Sequence, residues 1–197
     1  MYAQSAFLLD SACEDLYDKS IKMWEKYMNG EFVPINGQAL CEYAHMRFGW
    51  RCIAENGCGA IALYNAMGLM GRAIAFLDVR ARLHRWYRPR FFGVSPRELK
   101  RCFTKLGATC ARTDSLDELR NLLQTGGVAV LTKWNARWPR LYKGAHTVTI
   151  AFDGENYAVY NRYSNRERVY FCASLEEIIG EGSLIRAYVV ESVHKID

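Results

Sequence analysis

The sequence lacks a long hydrophobic run. Its most apolar stretch, Ala60 to Gly71, spans about twelve residues and contains Asn65, against the ~20 that a membrane-spanning helix needs. No secretory signal is expected either: the N-terminus, MYAQSAFLLDSACEDL, has no basic region and meets Asp10 early. No C-x-x-C pair occurs among the seven cysteines, which fall irregularly at 13, 41, 52, 58, 102, 110 and 172. That excludes a zinc ribbon or a disulfide framework, and most of these thiols are expected to be small buried hydrophobes. Fingerprints for metal, nucleotide and flavin are missing, as is a phosphate-binding glycine loop, so no cofactor and no metal are expected. Repeats, low-complexity runs and Pro/Gly/Ser linkers are absent as well. The expectation is a single cytoplasmic domain over residues 1–197.

What is present is ordinary globular composition: 197 residues, 50% hydrophobic, 13% aromatic and 24% charged. A chain of this length buries roughly 70% of its unfolded surface and needs no covalent staple for a core. The net charge of +5 favours acidic partners weakly and does not by itself indicate nucleic acid. Apolar groups at helical spacing predict a helix over Ser11–Asn29, ended by Gly30. A second helix is predicted from Cys58 to about Met70, rich in alanine. Three further helices are marked by serine followed three residues later by glutamate, at Ser95/Glu98, Ser115/Glu118 and Ser174/Glu177. In this capping box each side chain satisfies an orphan backbone donor at the helix start. Strands are predicted over Val128–Thr132, His146–Phe152, Glu155–Tyr163, Arg168–Phe171 and Leu184–Glu191. Helices first and an antiparallel sheet after them read as α+β, with a helical lobe at about 1–126 and a sheet lobe at about 127–197.

The sharpest local signal is Glu55-Asn56-Gly57-Cys58-Gly59-Ala60, directly before the apolar helix. A thiol at a helix N-terminus feels the positive end of the macrodipole, which favours thiolate over thiol. Flanking glycines let a substrate backbone approach the sulfur. The alternative is a buried cysteine at a helix start capped by Asn56, and Glu55 counts against activation because a nearby carboxylate raises a thiol pKa.

A nucleophilic cysteine needs a base. Of the four histidines, His194 and His84 read as solvated surface groups, and His45 lies in an irregular stretch. His146 opens a strand and shares a face with Val148, Ile150 and Phe152. The following Asp153-Gly154 favours a two-residue hairpin turn, which would set His146 opposite Asn161. A four-residue turn would make that pair diagonal, on the same face. Either register brings an amide oxygen near the imidazole.

The order Cys58, His146, Asn161 resembles the papain-like cysteine peptidase superfamily. Asn-Gly-Cys-Gly-Ala together with Gly-Ala-His-Thr-Val most resembles the bacteriocin-processing, double-glycine-leader type and its small bacterial relatives. The resemblance covers residues 55–71 and 143–163. It implies a papain-like fold whose central helix starts at the nucleophile, a peptide or protein substrate, and a Cys58–His146–Asn161 triad working through a thioester. An acyltransferase of transglutaminase type, or an idle papain-like binding domain, are the alternatives. One departure stands out. The family usually places a glutamine, as oxyanion donor, about six residues before the cysteine, where this chain has Cys52. Asn56 or Gln38 are candidate substitutes beside the Cys58 backbone N–H, with Asn56 equally readable as a plain helix cap.

Around the triad, Trp134 and Trp138 precede His146 on a basic connection and are candidate substrate contacts, as are Gly57 and Ala145 beside the two reactive groups. Arg80 to Arg90 is the most basic stretch, a candidate surface for an acidic partner or else a solvated helix face.

Overall fold

The computed structural model describes residues 32–87, 93–136 and 144–193, and its contacts divide the chain into two units, Met1–Val33 and Pro34–Asp197. The elements all fall in the second unit; the helix expected over Ser11–Asn29 lies outside the described residues. A short hairpin of β1 (Arg47–Phe48) and β2 (Arg51–Cys52) leads into one turn of helix, α1 (Ile53–Asn56), and then α2 (Cys58–Leu69). Next come α3 (Phe76–Tyr87), α4 (Pro96–Lys105), β3 (Ala108–Thr113) and α5 (Leu116–Gln124). The rest is β4 (Val128–Trp134), β5 (Ala145–Phe152), β6 (Tyr157–Tyr160), β7 (Tyr170–Cys172), α6 (Leu175–Ile179) and β8 (Ser183–Val193). Strands β3 to β8 build one antiparallel sheet in the order β3-β8-β4-β5-β6-β7.

The architecture is α+β. Besides the short β1–β2 hairpin, one strand of the main sheet comes from the stretch read as helical: β3, the edge strand beside β8. Its sequence, ATCART, is buried only at its two ends, so it carries no alternation from which a strand could be read. Strand β4 shows the opposite pattern, buried at every residue from Val128 to Thr132, because both sheet faces are covered. Val128, Val130 and Val190 pack with Leu83, Leu99, Phe103 and the apolar residues of α2. Ala129, Leu131, Val148 and Val189 pack with Leu119, Leu123 and Ile178 of α5 and α6. Helix α2 is itself apolar on all sides, and Ala60, Ile61, Ala62, Leu63, Ala66 and Met67 are each 0–1% exposed. A helix with no polar face is one surrounded by neighbours.

The three serine-led starts all form, but only one is a reciprocal capping box. Ser95 accepts from the Glu98 N–H while Glu98 accepts from the Ser95 N–H. At Ser115 the glutamate instead takes the Thr113 hydroxyl at 2.6 Å, and Glu177 turns to the Ala173 N–H. The β5–β6 turn takes the longer of the two expected forms. Asp153 Oδ1 accepts from the N–H groups of Glu155 and Asn156 at 2.9 and 2.7 Å, which stabilises a four-residue loop. Phe152 therefore opposes Tyr157, and Ile150 opposes Val159.

Gly57 is needed for packing at the α1–α2 junction. A Cβ there would lie 2.5 Å from Ile53 O and 2.7 Å from Ile53 Cγ2. Its φ of −78° suits any residue, so the constraint is contact rather than backbone strain. Gly57→Ala is expected to lower stability by about 2–3 kcal/mol, read as a lower chemical-denaturation midpoint. An unchanged midpoint would mean that α1 can shift away freely.

Candidate active site

Cys58 is the first residue of α2, and Gly57 is its N-cap, without a side-chain cap bond. This corrects the reading of Asn56 as the cap: its Nδ2 donates to Phe48 O at 3.4 Å, on the preceding hairpin. The N–H groups of the first helical turn have no intrahelical acceptors, so the helix end is electropositive where the sulfur sits.

Strand β5 is keyed to α2 by matching repeats. The Thr149 hydroxyl donates to Ala62 O at 3.0 Å. Two residues back along the strand is about 6.8 Å, and four residues back along the helix is about 6 Å. That step carries Thr149 to Thr147 and Ala62 to Cys58. There the Thr147 N–H and hydroxyl both reach the Cys58 sulfur, and His146 is hydrogen-bonded to the same thiol. Thr147 is 2% exposed and shares a second hydroxyl contact with Thr132 at 3.1 Å. Sequence reasoning passed over it, because alternation assigns it to the strand face away from the histidine.

His146 is held from the far side by Asn161, through the backbone. Its Nε2 lies 2.7 Å from Asn161 O. A carbonyl only accepts, so Nε2 carries the proton and Nδ1 is left to face the thiol. The expected amide contact from the Asn161 side chain is not formed. That side chain is spent on Gln38: its Oδ1 accepts from the Gln38 N–H and its Nδ2 donates to Gln38 Oε1, both at 3.1 Å. The Asn161 N–H donates to Asn36 Oδ1 at 2.8 Å. The residue has φ of 56°, a left-handed conformation that asparagine tolerates better than most residues. That bend ends β6 and points the carbonyl at the ring. Because the four-residue turn shifts the register, Asn161 lies diagonal to His146 rather than opposite it.

Gln38, 4% exposed, also donates through Nε2 to Ala54 O at 2.8 Å. It braces Asn161 against α1, which engages one of the two Nε2 protons that an oxyanion could use. Cys52 is likewise engaged, its thiol directed to Glu55 at 3.6 Å. Asn36 Nδ2 is buried without a partner, at a cost of about 1–3 kcal/mol.

The electrostatics follow from these contacts. Burial pushes the Cys58 thiol up, but the hydrogen bond and charge of His146, with both donors of Thr147, hold it below the ordinary thiol range. Burial favours a neutral His146. The hydrogen bond and charge of Cys58, with the Asn161 carbonyl, raise it nonetheless, against opposition from Lys133. The pair favours thiolate and imidazolium. Elsewhere burial dominates: the thiols of Cys41, Cys110 and Cys172 are all raised, the last two to about 12 and about 11. Lys133, missed in the sequence, faces His146 across β4–β5 and donates to Ile179 O at 3.1 Å.

Cys58 and His146 both keep solvent contact. Ala145 is exposed beside the histidine, and half-buried Trp134 is its partner across β4–β5. Gly57 is buried against Ile53 rather than open to a ligand. Trp138 lies outside the described residues, as do residues 88–90 of the basic stretch. Within that stretch Arg80 donates to Arg47 O on the β1–β2 hairpin. Among the described residues no group of three or more His, Cys, Asp or Glu could hold a metal, and no helix is long and apolar enough to cross a membrane.

No protein-family model and no curated protein matches the chain. Among solved structures it is similar to the peptidase domain of Streptococcus ComA, a bifunctional ABC transporter involved in quorum sensing. The TM-score is 0.50 at 14% identity, over 75% of this chain and 99% of that one. It is also similar to a Bacillus anthracis protein described as a C39-like peptidase, with a TM-score of 0.49 at 13% identity, over 82% and 96% of the two chains. The fold is the papain-like α+β fold of the ComA peptidase domain.

Proposed function

We propose that the protein is a cysteine peptidase or amidase in which Cys58 is the nucleophile, His146 the general base and acid, and Asn161 a positioning residue. One observation carries this reading. On a papain-like fold, the cysteine at the start of the central helix has its thiol lowered while the histidine bonded to it is raised. A thiolate is the attacking species, and most cysteines hold only a few per cent of it at neutral pH.

The chemistry then runs on this chain's own groups. The Cys58 thiolate attacks a substrate carbonyl carbon, and the charge moves to the carbonyl oxygen. The backbone N–H groups at the start of α2 hold that oxyanion, with Gln38 or Asn56 as side-chain candidates beside them. The His146 Nδ1–H protonates the leaving amine as the C–N bond breaks, giving a thioester. Water, losing a proton to His146, cleaves the thioester and returns the thiol. Trp134 and Ala145 line the approach for a peptide, and the Arg80–Arg90 stretch is proposed for an acidic partner.

The test is labelling with iodoacetamide at neutral pH, followed by an assay on a peptide library. Preferential labelling of Cys58 with hydrolysis supports a peptidase. The position of Cys52, where the family resemblance expects a glutamine donor, favours a second reading, an idle binding domain. Equally slow labelling of all thiols would select it. A finer probe is Thr147→Val, expected to raise the Cys58 pKa and slow alkylation at pH 7 by roughly 3–10-fold. Thr147→Ser, which keeps the donor, should stay near wild type. Equal loss in both variants would assign Thr147 a packing role.

A further inference from the structure

An open cleft of about 670 Å³ lies where the start of α4 meets β3 and β8, and it shares no residue with the Cys58 site. Its volume falls within the range of small-molecule sites, and five of its eight lining residues are cationic. Helix α4 contributes Arg97, Lys100 and Arg101, β3 contributes Arg112, and β8 contributes Arg186 beside Tyr188. Five positive charges therefore converge on one concavity. Asp114 offsets them in part, 4.0 Å from Arg112 and 3.7 Å from Arg186. Among the described residues no carboxylate pairs with Arg97, Lys100 or Arg101. The N–H groups of Ser95 and Glu98 are taken by the capping box, so the attraction rests on side chains rather than on the helix end. Like charges held together repel one another, and an unoccupied site of this kind is relieved by an anion.

We propose that this cleft binds a small molecule carrying two or more phosphate groups. A monoanion would leave most of the excess positive charge uncompensated. Phosphate oxygens match the guanidinium fork, which pairs with them bidentately. Arg112 and Arg186 stand on hydrogen-bonded neighbouring strands, so the sheet fixes the spacing of their backbones. A single-stranded nucleic acid fits less well. Base stacking needs an accessible aromatic face, and Tyr188, the aromatic side chain lining the cleft, is only 4% exposed.

The experiment is calorimetric titration of the whole chain with inorganic tripolyphosphate at low ionic strength, repeated with a nucleoside triphosphate. Saturable binding that weakens with added salt is expected. Arg112→Gln/Arg186→Gln should weaken it by about tenfold or more. Because those arginines also pair with Asp114, the exposed pair Arg97→Gln/Lys100→Gln serves as a second variant and should weaken binding similarly. Arg166→Gln, an exposed cation between β6 and β7, should leave it unchanged. Tighter binding of the nucleoside triphosphate would add a base contact to the same site. The proposal is overturned if tripolyphosphate does not bind, if Arg166→Gln weakens binding as much as the cleft variants, or if an RNA oligonucleotide of equal charge binds more tightly through the same arginines.

Discussion

Replacing His146 with alanine is expected to abolish peptide hydrolysis and to slow alkylation of Cys58 at pH 7 by about 100-fold. Two effects act in the same direction. The variant loses the largest influence that lowers the thiol, so burial, opposed only by the Thr147 donors, raises Cys58 toward the behaviour of Cys110 and Cys172. It also loses the acid that protonates the leaving group, a contribution of about 10²–10⁴. In the wild-type protein, activity against pH should be bell-shaped. The acidic limb appears where Cys58 becomes protonated, displaced below the ordinary thiol range. The basic limb appears where His146 loses its proton, displaced above the ordinary histidine range. Both limbs belong to the coupled pair rather than to either residue alone.

Stability has matching signs. The lowered thiol contributes stability above its unfolded pKa, and that contribution disappears as pH falls through the folded value. The raised histidine contributes stability below its unfolded pKa, lost as pH rises through the folded value. Loss of the bell with activity intact would show that the two groups do not act together, and denaturation midpoints of Cys58→Ala and His146→Ala against pH give an independent reading.

The second large effect separates two ways of holding the imidazole. If the Asn161 amide oriented the ring, Asn161→Gly and Asn161→Ala would be equally damaged. In the structure the backbone carbonyl holds His146, and it is aimed there by a φ of 56°. Glycine adopts that φ without penalty, whereas alanine meets a cost of about 1–2 kcal/mol. Asn161→Gly is therefore expected to keep about tenfold more activity than Asn161→Ala, although both lose the amide pair with Gln38. Equal activities would sink the backbone account. Gln38→Leu should lower the melting temperature, since it removes the side-chain partners of Asn161 Nδ2 and Ala54 O, at about 1–3 kcal/mol each. A drop in kcat beyond what that destabilisation explains would place Gln38 among the groups that position the ring.

Where local chemistry sufficed, the sequence could be read directly. Serine with a glutamate three residues on marked the starts of α4, α5 and α6, because capping is settled within one turn. An alanine-rich stretch apolar on every side marked α2 as the enclosed helix that starts at Cys58. Strand β3 was not legible, since its side chains do not alternate. It is a strand because β8 offers it a ladder of hydrogen bonds. The hairpin after β5 was legible as a turn but not in its length, which depends on two backbone N–H groups reaching Asp153 Oδ1.

Residue identity and order alone determined that a cysteine opens an apolar helix and that a histidine opens a buried strand with an asparagine fifteen residues on. Tertiary structure decided which atom of Asn161 meets the ring, that Gln38 is a brace, and that Thr147 reaches the sulfur. The reason is reach. A helix start or a strand is settled by neighbours a few residues away, whereas Gln38 meets Asn161 across 123 positions and Thr149 meets Ala62 across 87, contacts that exist only once α2 has been laid against the sheet.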